Sequence, residues 1–294
     1  LNHRFATKEE ALSFLELCKD ATFTLTSVTH KQGFRSPAPP FITSTLQQEA
    51  VRKLHFSVSK TMRLAQSLYE AGHITYMRTD SVNLSSLAIN ATKATVLAQY
   101  GEEYHKARQY KNKSKNAQEA HEAIRPTYMN KETAGANQDE RRLYDLIRKR
   151  TLASQMAEVQ TDTTRVEVAM SNSPLLWTAT HEVITFDGFM RAYTQAADDE
   201  LTANNQAAIA LLQENVNCHL SSVNAQETFT KAPARYNEGS LVGKMEELEI
   251  GRPSTLNTVV ETIQTRKYVE KGSVEGVKRS YNILTLANGK ITDK

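Results

Sequence analysis

The stretch FITSTLQQEAVRKLHFSVSKTMRLAQSLYEAGHITYMRTDS, residues 41–81, carries the pattern that decides the fold of this chain. Ser44 followed by Gln47, or Thr45 followed by Gln48, has the capping-box spacing that marks the start of a helix. Apolar residues then recur four positions apart, as expected of a helix face that packs on a core. The stretch therefore predicts a first helix that begins near residue 44.

A second helix follows in the same stretch, and either Ser57 or Ser59 is placed to cap it. Its predicted inward face consists of Met62, Ala65, Leu68 and Tyr69. Gly72 suits the position just after the helix, where a positive φ is needed. Two helices joined by a short turn resemble a helix-turn-helix unit, which often contacts DNA but is also a common packing unit. The residues ITYM that follow predict a short extended segment.

The rest of the chain alternates between helical and strand-like segments. Helices are predicted over 8–18, from Asn83 or Ser85 to Tyr100, over 117–124, over 138–156, and again after Pro253 and Ser254. Strands are predicted over 22–29, 161–170, 175–189 and 215–230, and the polar segment 196–208 predicts a loop. This order indicates a multidomain α and β protein, in which a helical domain with a helix-turn-helix-like unit is inserted into a β-rich domain.

Composition narrows the class of protein. At 294 residues, with 39% hydrophobic and 23% charged residues, the chain has the profile of a soluble globular protein with two or more domains. No apolar run approaches the roughly 18–20 residues that span a bilayer. The first residues lack the pattern of a signal peptide. The chain does not begin with Met, so we expect it to be excised from a longer polypeptide.

Charge and cysteine content leave more than one interpretation open. The net charge is only +3, but residues 105–115 and 141–150 are locally basic and contain tyrosines. These segments fit either a nucleic-acid patch or a solvated surface. Cys18 and Cys218 show no metal-binding spacing, so they predict reduced thiols in a cytoplasmic protein and no zinc site.

Tyr76 and Arg78 form the first candidate site. A tyrosine phenol titrates near ~10 and becomes a nucleophile only where cations or donors stabilise the phenolate. In an extended segment, residues two apart point to the same side, so both side chains can face one phosphate. The planar guanidinium of Arg78 suits a phosphodiester and keeps its charge. The alternative is a packed tyrosine beside a surface arginine.

A second pair of candidates lies in AHEAIRPT, residues 120–127. On a helix, His121 and Arg125 are four apart and share a face, so both are predicted to reach the DNA. His121 can hydrogen-bond a phosphate or pass a proton to a leaving oxygen. Glu122 fits either an orienting partner or a surface acid.

The third group consists of Arg252, Ser254 and Thr255 in EIGRPST. Free N–H groups and hydroxyls at a helix start make an anion site, and simple N-capping is the alternative. No spaced acidic cluster and no GxxxxGK[ST] motif occur in the chain. The sequence therefore predicts no metal site and no ATP site of that type within these 294 residues.

Several of these motifs together resemble the type IA DNA topoisomerases, and within them the bacterial DNA topoisomerase I group. The resemblance covers residues 35–290 and is carried by the following segments: SPAPPFITSTLQQEAVRKLHFSVSKTMRLAQSLYEAGHITYMRTDS, QEAHEAIRP, FDGF and KAPARYNEGSLVGKMEELEIGRPSTLNTVVETIQTRKYV. The chain departs from the family pattern at Ala232, Gly239, Gly243, Glu249 and Leu256. The lysine that the family has in this segment is shifted here, and Lys244 takes its place. These departures bear on DNA contacts of the last segment and not on Tyr76.

The resemblance implies a transesterase that breaks and rejoins one DNA strand without ATP. Tyr76 matches the nucleophile that becomes linked to the 5′ phosphate, and Arg78 matches the arginine that positions the scissile phosphate. His121 matches the histidine beside it. Arg252, Ser254 and Thr255 fall where the family contacts single-stranded DNA. The implied partners are single-stranded or negatively supercoiled DNA and the remaining domains of the polypeptide, with no membrane, in a cytoplasmic, nucleoid-associated protein.

The resemblance also implies an architecture. Residues 36–162 correspond to the helical domain that carries the tyrosine, and residues 1–35 with 163–235 correspond to the β-rich arch. Residues 236–294 correspond to part of the domain that grips the single strand. The family's magnesium ion is bound by a Toprim domain that no segment here matches. We therefore expect a fragment that does not cleave DNA alone.

Two other classes of protein are compatible with parts of the sequence. A non-catalytic DNA-binding or clamp module could use the same basic segments, with Tyr76 stacking on a base. A tyrosine recombinase also uses Tyr, Arg and His. In recombinases the tyrosine normally comes last, whereas Tyr76 precedes His121 and Arg125, so this class is disfavoured.

Overall fold

A computed structural model describes residues 4–111, 121–193 and 212–294 and shows a mixed α/β protein with antiparallel sheets. The helices are α1 (Lys8–Lys19), α2 (Thr43–Glu49), α3 (Val58–Glu70), α4 (Ser86–Tyr100), α5 (Gln138–Ser154), α6 (Glu238–Glu247) and α7 (Leu256–Thr265). The strands are β1 (Phe23–Arg35), β2 (Val159–Met170), β3 (Ser173–Phe186), β4 (Val216–Cys218), β5 (Ser222–Gln226), β6 (Ile283–Ala287) and β7 (Lys290–Asp293). Among the described residues, no helix is both long and apolar enough to cross a bilayer.

The larger sheet has the strand order β3-β2-β1-β4, and all its pairs are antiparallel. Its centre is the long ladder between β1 and β2, which runs from Phe23 opposite Met170 to Arg35 opposite Val159. β1 therefore extends six residues beyond its predicted end at 29. The strands predicted over 161–170 and 175–189 are confirmed as β2 and β3, with β3 ending at Phe186.

The smaller sheet has the order β5-β6-β7. Asn288 and Gly289 join β6 to β7 with positive φ angles of 49° and 72°, as a two-residue type I′ turn requires. The single strand predicted over 215–230 is wrong, because β4 pairs with β1 whereas β5 pairs with β6. Apolar residues of α1 and both sheets form one core, which includes Phe14, Leu15, Cys18, Phe23, Val223, Leu284 and Leu286.

The helical block contains the largest core, which is built from α2, α3, α5 and the segments between them. The predicted helix pair is confirmed: Ser57 caps α3 through the Lys60 N–H, and Gly72 follows the helix at φ 71°. A π-helical turn, Ala50–Leu54, continues α2. The prediction for Tyr69 is wrong, since its side chain is 40% exposed and lies outside the core.

The helix predicted over 117–124 is wrong for the part that the structure describes. Residues 121–124 are not helical, and 117–120 lie outside the described residues, as does the predicted loop 196–208. The reason is long-range pairing of the backbone. The Ala123 N–H donates to the Asn83 carbonyl and the Ile124 N–H to the Phe41 carbonyl, both at 2.8 Å. These groups are thus unavailable for helical hydrogen bonds.

Helices α6 and α7 pack against α2 and α3. A small apolar cluster joins the two pairs, with buried residues Val58, Val242, Met245, Leu256 and Val260. At Gly239 an added Cβ would lie 3.1 Å from the Cβ of Val51, so the absence of a side chain permits the close approach of α6 to the helical block. The Glu238 carboxylate also accepts from the Val58 N–H at 2.8 Å. This contact joins the first residue of α6 to the first residue of α3.

Candidate active site

The segment that carries Tyr76 is attached to the start of α2. Thr43 is buried; its N–H donates to the Thr79 carbonyl at 2.9 Å, and its hydroxyl accepts from the Thr79 N–H at 2.9 Å and reaches the Met77 carbonyl at 2.8 Å. Met77 and Thr79 are buried, whereas Tyr76 and Arg78 are exposed. This alternation exposes both Tyr76 and Arg78. The extended segment predicted for residues 74–77 is limited to a β-bridge at Ile74, because the backbone bends at Thr75, Met77 and Arg78.

Thr75 anchors the other end of the segment to residues 123–125. Its N–H donates to the Arg125 carbonyl at 2.9 Å, and its hydroxyl donates to the Ala123 carbonyl at 2.7 Å. The Arg125 N–H donates back to the Thr75 hydroxyl at 2.9 Å. Neighbouring Ile74 is buried and forms a bridge with Pro126. These bonds bring the two candidate motifs together although they are about fifty residues apart in sequence.

Tyr76 lies at the surface between two aromatic rings, and its side chain is 36% exposed. The ring of Tyr69 packs edge-on against it, with centroids 5.2 Å apart and planes at 65°. The ring of His121 lies on another side, with centroids 6.0 Å apart. The phenol is therefore accessible to a ligand and has an imidazole close by. A partly exposed ring with specific aromatic neighbours is positioned without being enclosed.

Arg78 is exposed and lines a groove of about 500 Å³ between α3 and α7. Within the described parts of the chain, its guanidinium has no hydrogen-bond acceptor and no ion-pair partner. The α3 wall of this groove includes Lys60, Arg63 and Gln66. An unpaired arginine two residues from an accessible tyrosine can bind an anionic group placed at the phenol.

Arg125, unlike Arg78, is mostly buried and paired with a carboxylate. Its side chain is only 11% exposed; its guanidinium donates to the Glu122 carboxylate from two nitrogens and to the Pro126 carbonyl at 2.9 Å. Burial would raise the pKa of Glu122, but the N–H of Ser85 and the charge of Arg125 outweigh burial and keep the pKa below its ordinary value. The pair is thus ionised, and Arg125 serves the fold around His121.

The third predicted group lies at the start of α7. The Thr255 hydroxyl accepts from the Arg252 N–H at 2.9 Å, which is a local turn, and helix α7 begins at Leu256, two residues after Ser254. Thr255 precedes the helix but makes no side-chain cap bond. None of Arg252, Ser254 and Thr255 is among the described residues that line the groove beside Arg78, although Asn257 of the same helix is.

In the two locally basic segments, 105–115 and 141–150, several positive side chains contact other parts of the protein. In α5, Arg148 and Arg150 are buried, and the Arg150 guanidinium donates to the Pro39 carbonyl. In the described part of 105–115, Lys106 and Arg108 both pair with Glu158, at 2.7 and 2.9 Å. Arg108, Arg148 and Arg150 therefore contribute to packing and hydrogen bonding inside the fold, whereas the Lys106 side chain stays 54% exposed in its ion pair.

Sequence reasoning missed three residues of this site. Thr43 positions the tyrosine segment, and Arg63 and Asn257 line the groove. Lys60, Arg63 and Gln66 lie three apart on α3, and this spacing was the available signal for a polar face beside the predicted apolar one. Thr43 gave no such signal, because its partners Met77 and Thr79 are more than thirty residues away. The approach of α7 likewise depends on tertiary packing.

The acidic residues in the described part of the chain are not grouped as metal ligands. Across the ranges that the structure describes, no group of three or more His, Cys, Asp or Glu residues is arranged to bind a metal ion. Near the tyrosine, the Glu122 carboxylate is occupied by Arg125 and Ser85, and the Glu70 carboxylate accepts from Gln66 at 2.6 Å. Glu70 and Glu122, the two acids with these partners, therefore do not fit a divalent ion.

Comparison with known proteins establishes the class. A family model described as DNA topoisomerase matches residues 1–292, so the chain belongs to the DNA topoisomerase family. The resemblance to type IA DNA topoisomerases, recognised from the motifs, is confirmed.

Individual relatives narrow the assignment within the family. DNA topoisomerase 1 of Zymomonas mobilis is 46% identical over 270 residues, which are 90% of this chain and 22% of that protein. DNA topoisomerase 1 of Rickettsia bellii is 44% identical over 277 residues, 89% of this chain and 34% of that protein. The solved structure of full-length topoisomerase I from Thermotoga maritima matches with a TM-score of 0.75 and 33% identity, covering 92% of this chain and 45% of the other. The chain thus spans less than half the length of these relatives.

Proposed function

We propose that this chain forms the tyrosine-bearing part of a type IA DNA topoisomerase, which breaks and rejoins one DNA strand through a 5′-phosphotyrosine intermediate. The observation that carries the proposal is an accessible Tyr76 beside His121, two residues before an exposed Arg78 whose guanidinium has no partner among the described residues. The activity of the complete protein would relax negative supercoils without ATP, in a nucleoid-associated cytoplasmic enzyme.

In the proposed reaction, the Tyr76 oxygen attacks a backbone phosphorus and loses its proton. The new phosphorus–oxygen bond replaces the bond to the 3′ oxygen, which leaves and takes up a proton. His121, whose ring centre lies 6.0 Å from that of Tyr76, is the proposed group that transfers this proton. Arg78 neutralises the charge that grows on the phosphate, and this stabilisation supplies most of the catalysis. Rejoining reverses these steps.

The remaining parts of the proposal concern the complete protein. The helical block would form the gate that carries Tyr76, and the long β1-β2-β3 sheet would form the arch on which it moves. Residues 236–294 would contribute to the grip on the single strand, with Arg252, Ser254 and Thr255 in contact with it. Magnesium would be bound by a Toprim domain outside this chain, since the acids near Tyr76 do not fit the ion. The chain alone would then bind DNA without cleaving it.

The test joins or mixes this chain with a Toprim domain, adds magnesium and a labelled single strand, and detects covalent adduct after denaturation. Tyr76→Phe is expected to abolish the adduct with strand binding unchanged, because only the phenol oxygen is removed. Tyr69→Phe is the matched control, since it removes a phenol from the neighbouring ring and should leave an adduct. Equal adduct in Tyr76→Phe and the parent would refute the proposal.

A second variant tests the role of the guanidinium. Arg78→Ala is expected to slow cleavage about 100-fold or more, as loss of a charge-stabilising donor does, while strand binding weakens less than about tenfold. Arg78→Lys keeps the charge but not the fork and should give an intermediate rate. Equal losses in cleavage and in binding for Arg78→Ala would instead indicate a simple binding contact.

A further inference from the structure

Tyr69, at the end of α3, is a large aromatic residue whose position is explained neither by the core nor by its own hydroxyl. Its side chain is 40% exposed, whereas Ala65 and Leu68 of the same helix are fully buried. Among the residues that the structure describes, the Tyr69 hydroxyl has no hydrogen-bond partner. Its ring nevertheless makes a specific contact, because it packs edge-on against the ring of Tyr76, with centroids 5.2 Å apart. The location of the Tyr69 ring is therefore best explained by Tyr76.

The backbone that carries Tyr69 is fixed by the end of the helix. The His73 N–H donates to the Leu68 carbonyl and the Gly72 N–H donates to the Tyr69 carbonyl, both at 2.8 Å, which is the bond pattern of a Schellman motif. Gly72 has the positive φ of 71° that this motif requires. The chain therefore leaves α3 in one defined direction, and Tyr76 lies beside Tyr69.

The ring of Tyr76 is held less firmly than its backbone. Thr75 and Thr79 anchor the backbone on either side of it, but among the described residues the Tyr76 hydroxyl has no hydrogen-bond partner. The orientation of the phenol thus depends on the rings that touch it. Tyr69 makes the closer contact, with planes at 65° in the edge-to-face arrangement that aromatic pairs prefer. The ring of His121 is farther away, with centroids 6.0 Å apart and planes at 35°.

We infer that Tyr69 is a positioning residue, whose ring holds the Tyr76 ring in the orientation from which the phenol oxygen reaches the phosphorus. This inference rests on the proposed function and adds to it a residue that acts through Tyr76. Displacement of a reacting atom by about 1 Å can slow a reaction about 100-fold. A loosened Tyr76 ring would therefore lower the rate of the chemical step and leave the affinity for the strand unchanged. The ring of Tyr69, and not its hydroxyl, has this role.

The rate of adduct formation at increasing strand concentrations tests this role, with the chain combined with a Toprim domain and magnesium. Tyr69→Leu is expected to lower the rate at saturating strand about tenfold and to keep the half-saturating strand concentration within about twofold of the parent's. Tyr69→Phe keeps the ring and should retain most of the parent's rate. Phe34→Leu is the matched control, because it removes a 65% exposed ring from β1, and it should change neither quantity.

A spectroscopic measurement on the chain alone reports the ring contact without DNA. With fluorotyrosine incorporated, the fluorine resonance of Tyr76 is identified by its loss in Tyr76→Phe. The ring current of Tyr69 acts on this resonance, so Tyr69→Leu is expected to move it, whereas Tyr69→Phe should leave it close to the parent's position. Urea denaturation of Tyr69→Leu is expected to give a midpoint close to the parent's, because the replaced side chain lies outside the core. A merely structural residue would lower this midpoint.

The outcomes separate this inference from the proposed function. Equal saturating rates for Tyr69→Leu and the parent, or an unmoved Tyr76 resonance, would overturn the positioning role even where Tyr76 forms its adduct. An unchanged saturating rate with a higher half-saturating concentration would also overturn it, since Tyr69 would then be a contact of the strand. A loss of rate in Tyr69→Phe as large as in Tyr69→Leu would assign the effect to the hydroxyl and overturn the role of the ring. A moved resonance without an adduct in the parent would leave the ring contact intact and remove the transesterase.

Discussion

At the scale of single residues, the site depends on side chains whose partners are close and specific. Tyr76 is accessible because Met77 and Thr79 turn inward and bury the other side of the segment. Arg78 and Arg125 were both predicted to contact DNA. The Arg125 guanidinium is bound to Glu122, whereas that of Arg78 has no partner among the residues that the structure describes. The same residue type can therefore serve the chemistry or the fold according to whether a carboxylate lies within reach.

Glu249 gives a prediction about backbone strain. It follows α6 at φ 55°, a left-handed conformation in which the Ile250 N–H reaches back to the Met245 carbonyl. Glycine occupies such a position without steric cost, whereas other residues pay about 1–2 kcal/mol. Glu249→Gly is therefore expected to raise the free energy of unfolding by about 1 kcal/mol, measured by urea denaturation.

A matched control uses the same substitution one turn earlier. Glu246→Gly, within α6, is expected to lower the free energy of unfolding by about 1 kcal/mol, since glycine is a poor helix former. The opposite signs would identify the backbone conformation as the cause. A destabilised Glu249→Gly variant would contradict the assignment of strain to this position.

At the scale of secondary-structure elements, α2 acts as the anchor of the tyrosine segment. Its first residue, Thr43, contributes both a backbone donor and a hydroxyl to residues 77–79. Residues 123–125 anchor the other end through Thr75. Tyr76, the proposed nucleophile, is thus supported from two sides by elements that are far away in sequence, which is how a loop residue can be held in one position.

Thr43→Val tests this anchor. It keeps the shape of the side chain but leaves the buried Thr79 N–H without the hydroxyl oxygen, at a cost of about 1–3 kcal/mol in the free energy of unfolding. Thr43→Ser keeps the hydroxyl and should lose less than half as much. Urea denaturation measures both, and in the adduct assay only Thr43→Val is expected to reduce the yield. Equal losses for Val and Ser would mean that the methyl group and not the hydroxyl supports the segment.

At the scale of the whole molecule, the helical block and the sheets have separate cores, and β2 runs from Val159 in the first core to Met170 in the second, with Glu158 just before it. This residue precedes β2 and binds Lys106 and Arg108 of the segment that follows α4. The Lys106 ammonium, with help from Arg108, lowers the pKa of Glu158 to about 2. A carboxylate with a lowered folded-state pKa stabilises the protein above its unfolded-state pKa, and this contribution is lost as the pH falls towards the folded-state pKa.

The expected pH window follows from these values. The contribution of Glu158 is complete above the ordinary glutamate pKa of 4.5 and declines between pH 4.5 and about 2. Glu158→Gln should therefore be less stable than the parent at pH 7 and should lose less stability on acidification to pH ~3. Urea denaturation at both pH values measures this difference. Parallel decreases in the two proteins would show that Glu158 does not couple stability to pH.

The sequence by itself determined the family, the helix pair before Tyr76, a cap at Ser57 or Ser59, the glycine at position 72 after the helix, and the long strands β2 and β3. These features depend on residues within a few positions of each other, where spacing and turn chemistry act directly. Only the tertiary structure decided that residues 121–124 are not helical, that β4 and β5 belong to different sheets, and that Tyr69 packs on Tyr76. It also placed α7 opposite α3, with Arg78 lining the groove between them. The physical reason is that backbone pairing and charge compensation join residues that are distant along the chain. A local sequence pattern does not specify which distant residue becomes the partner.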